Sequence, residues 1–306
     1  MLRRTILAAA ASGRIRTLVG RAPVSRSVVR RFVAGESTDE ALQVTRRLVD
    51  AGLTVSLDHL GEDTTEEAQA KSAASAYLTL LEGLGEQGLT EATEVSVKLS
   101  AIGMGVDRAL ATDQARTICE AATKAGTTVT IDMEDHTTTD ATLAVVAELR
   151  REFPSVGAVL QAYLRRTESD CRDMAHAGSR VRLCKGAYKE PESAAFQDRN
   201  DVDRSYVRCL NVLMAGAGYP MIATHDPRLL AIAHERTRWY DRPQGSYEYQ
   251  MLYGVRPDEQ VRLVTAGEKV RVYTPFGDEW YGYLMRRLAE RPSNVAFFLR
   301  AVATKG

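Results

Sequence analysis

No stretch of this chain stays apolar for the roughly 20 residues that a membrane-crossing helix needs, which excludes an ordinary transmembrane span. Lysine plus arginine equals aspartate plus glutamate, at 40 each, so no charge surplus favours a general grip on nucleic acid. The four cysteines (Cys119, Cys171, Cys184, Cys209) lack C-x-x-C spacing and any secretory context. They read as buried or half-buried free thiols in a reducing compartment. There is no His-x-x-x-His pair and no carboxylate triad, so no metal is expected even at the Asp132, Glu134, Asp135, His136 cluster. A G-x-G-x-x-G loop after the first apolar run is missing too, which argues against a dinucleotide-binding doubly wound sheet.

What the chain does have is a repeated unit of structure. Eight short apolar runs, Thr54–Leu57, Glu94–Leu99, Thr128–Ile131, Gly157–Leu160, Val181–Cys184, Met221–Ala223, Tyr247–Met251 and Lys269–Tyr273, each end in a polar or charged group. A helix-like stretch follows each of them. Eight strand–helix units in series predict a (β/α)8 TIM barrel, whose chemistry sits at the carboxyl ends of its strands. The runs look continuously apolar, as parallel strands buried on both faces should be. Helix signals agree with the count. Thr38 is an N-cap candidate for the first helix, and Asp226-Pro227 opens a later one with a cap and a proline in the first turn. The expected division is an N-terminal helical prefix, residues 1–50, packed on a barrel at residues 51–306.

Acid is scarce at the start. Met1 to Val33 carries eight arginines and no acidic residue before Glu36. A transit-like segment, an amphipathic helix on an anionic membrane, and a plain basic helix packed on the barrel all fit this composition.

Three constellations carry chemistry. In Val181-Arg182-Leu183-Cys184-Lys185-Gly186, an arginine lies inside an apolar strand and a lysine sits at its end. Buried arginine needs an anion or an electron-rich ligand, either an internal partner such as Asp132 or a bound group. Lys185-Gly186 at a turn also suits a phosphate grip. Lys98 and Asp132 stand at equivalent levels of adjacent strands and are expected to pair there and orient a polar substrate. Arg286 and Arg287 follow Tyr273 on the last helix, where side chains diverge by about 100°. They form either a carboxylate clamp at a cleft rim or a solvated basic face.

Taken together, these residues resemble the proline dehydrogenase family in its monofunctional bacterial form. The resemblance runs from about Arg31 to the C-terminus and rests on seven blocks in order. They are Ser96–Ser100, Ile131–Glu134, Gln161–Tyr163, Arg182–Tyr188, Ala223–His225, Gln250–Leu252 and Tyr273 through Glu290. It implies a distorted barrel that carries FAD and oxidises L-proline to pyrroline-5-carboxylate, with electrons passed to a membrane quinone. In that resemblance Arg182 meets the flavin near N5, Gln161 its ring edge, and Met133 lies beside it. Lys185, Gly186, Ala187, Thr224 and His225 match the flavin side-chain and pyrophosphate contacts. Arg286 and Arg287 hold the proline carboxylate with Lys98, Tyr273 and Leu252 cover the pyrrolidine ring, and Asp132 positions substrate and last helix. The resemblance implies a cytoplasmic protein in peripheral contact with the inner face of the cell membrane. The long bifunctional relatives add a DNA-binding domain and an aldehyde dehydrogenase, for which this chain is too short. A methylenetetrahydrofolate reductase-type barrel fits less well, because the paired arginines suit a small carboxylate. A scaffold that binds anionic polymer fits less well too, because the net charge is zero.

Overall fold

The computed structural model of the chain describes residues 29–290. Helix α1 (Thr38–Asp50) leads into a closed, all-parallel barrel of eight strands hydrogen-bonded in sequence order. The strands are β1 (Thr54–His59), β2 (Thr93–Val97), β3 (Val129–Ile131), β4 (Gly157–Gln161), β5 (Arg180–Cys184), β6 (Tyr219–Ala223), β7 (Glu248–Leu252) and β8 (Val270–Phe276). Between them lie α2 (Glu67–Glu86), α3 (Arg108–Ala125), α4 (Thr139–Leu149), α5 (Thr167–Met174), α6 (Arg199–Ala215), α7 (Pro227–Trp239) and α8 (Pro257–Thr265). A last helix, α9 (Trp280–Glu290), follows β8. All eight expected runs are strands. The arginine-rich residues 1–28, most of the expected helical prefix, lie outside the described residues.

Caps follow local chemistry with one correction. Ser37, not Thr38, caps α1: it sits in extended backbone (φ −111°, ψ 160°), from which its oxygen accepts from the Glu40 N–H. Asp226 caps α7 as its sequence promised, accepting from the Arg228 N–H, with Pro227 next.

The larger correction concerns the strands, which alternate. Val55, Leu57, Val95 and Val97 face outward into one apolar cluster with α2 and α3. Val181, Leu183, Val270 and Val272 belong to a second cluster with residues of α6 and α7. The residues between them, Ser56, Asp58, Glu94, Ser96, Arg182, Glu248, Gln250 and Arg271, are buried and polar. They fill the barrel interior, since Arg182 on β5 reaches Ser56 on β1, Glu94 on β2 and Gln250 on β7. Glu94 and Glu248, both fully buried, are met by Arg180, Arg182 and Arg271. Removing charge from water is tolerable only because nearly every lone pair and N–H finds a partner.

At the amino ends of the strands, two guanidiniums clamp turns through neutral oxygens. Arg150 donates to Val156 O, Ser179 Oγ and Arg180 O. Arg242 donates to the carbonyls of Gly216 (3.2 Å) and Gly218 (2.5 Å). Burial pushes both below the ordinary arginine value, Arg150 to about 10 with Arg180 adding repulsion. Arg242→Ala should therefore cost about 1.5–3 kcal/mol, the usual worth of hydrogen bonds from a charged group. The clamp is at the far end from the strand carboxyl termini, so chemistry there should be untouched. A urea midpoint equal to that of the unaltered protein would refute this role.

Candidate active site

Strands β1, β2, β3, β5 and β8 deliver one connected polar group to the carboxyl end of the barrel. Asp132, the first residue after β3, is its hub. Its Oδ1 accepts from Ser96 Oγ at 2.9 Å and Arg182 Nη1 at 2.6 Å, and its Oδ2 accepts from the Tyr273 hydroxyl at 2.7 Å. Arg182 uses all five of its N–H groups. Beyond Asp132 it donates to Gln250 Oε1 (2.6 Å), Ser96 Oγ (2.9 Å), Ser56 Oγ (3.1 Å) and Glu94 Oε1 (3.1 Å). Its guanidinium carbon also lies 5.2 Å from the Tyr273 ring centroid. The internal-partner reading of Arg182 is thus realised through Asp132 and Glu94. A bound flavin would reach this guanidinium only by exchange with one of these bonds.

Lys98 does not pair with Asp132 as the strand levels suggest. Its ammonium donates to both oxygens of Asp58, at 2.8 and 2.7 Å, and stands 3.5 Å from the Tyr273 hydroxyl. Asp58, on the neighbouring strand, offers Lys98 both of its oxygens, whereas Asp132 is engaged by Ser96, Arg182 and Tyr273. Burial works against the charged lysine, but Asp58 and Asp132 outweigh it and hold its pKa above the ordinary range. Lys98 therefore stays charged at the barrel mouth, neutralised by Asp58. Burial and Asp132 push the Tyr273 phenol well up, so it stays a hydrogen-bond donor.

Gln161, at the end of β4, donates both amide hydrogens to consecutive carbonyls, Met133 at 2.9 Å and Glu134 at 3.0 Å. From the other side, Ser100 N–H and Oγ hold the Glu134 carboxylate. The segment carrying Asp132 and Met133 is thereby fixed on both flanks. Gln161 Oε1 is buried and has no partner among the described residues. Asp135 caps its own turn through Thr137, and His136 Nδ1 pairs with buried Glu190. Asp132, Glu134, Asp135 and His136 thus have separate protein partners. Among the described residues, no group of three or more His, Cys, Asp or Glu is placed to hold a metal.

After β5 the chain turns at Gly186 (φ +103°), where a Cβ would lie 2.3 Å from the Tyr163 ring, so only glycine fits. Ala187 beyond it is exposed. The Lys185 ammonium lies 2.5 Å from Asp203 and 3.1 Å from Asp226, and Arg228 joins the same two carboxylates. Two cations and two anions make that corner neutral, so a phosphate grip there must compete with Asp203 and Asp226. Thr224 Oγ1 accepts from the Asp226 N–H, and His225 Nε2 accepts from the Leu252 N–H at 2.8 Å. That bond fixes the end of β7, where Leu252 sits opposite Tyr273 of β8. Arg287 is on α9 with its guanidinium carbon 5.2 Å from the Tyr283 ring centroid. Arg286 precedes it, its side chain outside the described residues.

Asp58, Glu94, Ser96 and Gln250 complete this site, and the sequence reading gave them no role. Their signal was present: in S-x-D, E-x-S-x-K, R-x-R and E-x-Q, polar residues recur every second position inside apolar runs. Glu190, which receives His136 and Tyr163, lies in an irregular loop and had no such signal.

Comparison with known proteins gives concordant results. A family model described as proline dehydrogenase matches residues 41–300. Proline dehydrogenase 1 of Bacillus subtilis (strain 168) is 36% identical over 281 residues, covering 92% of each chain. The proline dehydrogenase of Deinococcus radiodurans is 37% identical over 281 residues, covering 90% of each. Among solved structures, proline utilization A (PutA) from Bdellovibrio bacteriovorus, inactivated by N-propargylglycine, is similar with a TM-score of 0.82 at 26% identity. That match covers 92% of this chain and 34% of the longer protein.

Proposed function

The chain belongs to the proline dehydrogenase family, and on that premise we propose that it oxidises L-proline to pyrroline-5-carboxylate with bound FAD as the hydride acceptor. Oxidation of proline in its catabolism comes with the family; the cofactor, the path of the electrons and the residue roles belong to the proposal. The observation that carries it is the Asp132 hub with the Lys98–Asp58 pair beside it, at the carboxyl end of a barrel that ends in a helix bearing Arg286 and Arg287.

The residues fit a flavin on one independent point. A buried amide oxygen without a donor, as at Gln161 Oε1, calls for an N–H group, and the pyrimidine edge of a flavin has one. Gln161, Arg182, Lys185, Gly186, Ala187, Thr224 and His225 would hold the cofactor, with Met133 beside it. When bound, FAD supplies a two-electron acceptor for the hydride that leaves proline C5. The protein orients and stabilises. Lys98, held charged by Asp58, attracts the substrate carboxylate together with Arg286 and Arg287. Tyr273 and Leu252 bound the pyrrolidine ring from adjacent strands, and Asp132, fixed through Arg182, keeps the Tyr273 phenol in place. Proline must shed its ammonium proton before the nitrogen lone pair can assist departure of hydride.

Electrons would then pass to a membrane quinone, from a cytoplasmic enzyme in peripheral contact with the inner face of the membrane. Support for this last step is the family resemblance and the basic start of the chain. No helix among the described residues is long and apolar enough to cross a membrane.

Anaerobic titration of the purified protein with L-proline tests the reading: a visible flavin band should bleach, and a colourless or unresponsive protein would overturn it. Arg286→Lys and Arg287→Lys should each raise KM for proline about tenfold or more while flavin stays bound, because lysine cannot reproduce a bidentate fork. Unchanged KM in both would sink the clamp assignment.

A further inference from the structure

Helix α9 is held by more than the barrel. Val29, Phe32 and Val33 form one buried cluster with Trp280, Leu284 and Met285 of that helix. The backbone continues the join. Ala34 N–H donates to Pro275 O at 2.8 Å, and Gly277 N–H, in the turn between β8 and α9, donates to Gly35 O at 3.0 Å. At the first position of α9, Trp280 Nε1 donates to Glu36 Oε1 at 2.8 Å. Glu36 is itself tied to α1, its N–H donating to Glu40 Oε2 at 2.8 Å.

The same segment touches the turn after Leu252. A Cβ placed at Gly254 (φ +73°) would lie 1.7 Å from the Arg31 carbonyl oxygen, so the two backbones meet at a spot that only glycine permits. Val255 packs against the cluster of Val29, Phe32 and α9. Residues 29–36 thus contact two separate walls of the proline site: the helix of Arg286 and Arg287, and the turn of Leu252.

We infer that residues 29–36 are a brace for substrate binding, with the Glu36–Trp280 hydrogen bond as its latch, and that Glu36 and Trp280 are positioning residues for proline. The inference rests on the reading of α9 as the carboxylate clamp. A latch of this kind sets the fraction of molecules whose clamp is in place. Weakening it lowers apparent affinity in proportion to that fraction and leaves the rate at saturation alone.

The test compares steady-state kinetics of the holoenzyme in a variant series. Trp280→Phe keeps the aromatic packing and removes the donor; Glu36→Ala removes the acceptor at an exposed position and carries the test should the tryptophan variant misfold. Each should raise KM for L-proline by up to about fivefold, the full worth of one ordinary hydrogen bond when the seated clamp is the minor state. Flavin content and kcat should stay within about twofold of wild type, and the double variant should add nothing further. Glu36→Gln, which retains an oxygen acceptor, should behave as wild type. Wild-type KM in both Trp280→Phe and Glu36→Ala, alongside a raised KM in Arg287→Lys, would overturn the brace alone. Wild-type KM in the arginine variants would remove the clamp reading and this inference with it.

Discussion

Arg182→Met should slow flavin reduction by proline about 100-fold or more and cost the fold about 3–5 kcal/mol at the same time. Both effects come from one geometry. The guanidinium spends five N–H groups inside the barrel, two of them on carboxylates that are almost wholly buried. Methionine fills the space but leaves Asp132 and Glu94 short of a counter-charge, and it frees Asp132 to move with the Tyr273 phenol. Arg182→Lys keeps the charge and loses the planar fork, so it should fall between the two. Stopped-flow reduction and guanidinium unfolding report the two effects separately. Reduction at the wild-type rate in Arg182→Met would show that this network does not serve the reaction.

Glu94→Gln should cost a similar amount of stability at neutral pH, about 3–5 kcal/mol, because it strips the charge that Arg180, Arg182 and Arg271 share. It should also change the acid limb of the stability curve. Burial opposes ionisation of Glu94, but the three arginines outweigh it and hold its pKa far below the ordinary 4.5. A carboxylate with a depressed native pKa contributes stability that is present above its unfolded value and is lost as pH falls through the native one. Wild type should therefore weaken steeply below about pH 4.5, and Glu94→Gln should weaken less steeply over the same range. Unfolding midpoints measured from neutral pH down to pH 3 check this. Parallel acid limbs would show that Glu94 is not among the groups responsible.

Much of the architecture could be read from the sequence because a barrel repeats its grammar. An apolar run, a polar end and a helical stretch recur eight times, and each repetition supports the others. Of the candidate site, the strand-end signal reached Lys98, Asp132, Gln161, Arg182, Thr224, Leu252 and Tyr273, which stand in or just after the barrel strands. Pairing was less legible. Lys98 and Asp132 stand at matching levels, yet Lys98 binds Asp58, while Asp132 is held by Ser96, Arg182 and Tyr273. Such a choice between acids is made across strands in the closed barrel and is not visible in any one segment. The inner charges were hidden for another reason. A strand such as Val181-Arg182-Leu183 looks like an apolar run with one intruder until Ser56, Glu94, Gln250 and Arg271 are seen to repeat the pattern at every second residue. The brace at residues 29–36 had no signal at all, since its partners lie some 240 positions away in the chain.

A barrel filled with ion pairs and amides should also respond to temperature differently from one filled with leucine and valine. Exposing apolar surface raises the heat capacity of the unfolded chain and exposing polar surface lowers it. Here the apolar clusters outside the barrel contribute the positive part, while the interior around Glu94, Arg182, Glu248 and Arg271 subtracts from it. The stability curve of this protein should therefore be flatter than its length suggests, with less weakening on cooling, which calorimetry would show as a small heat-capacity change on unfolding.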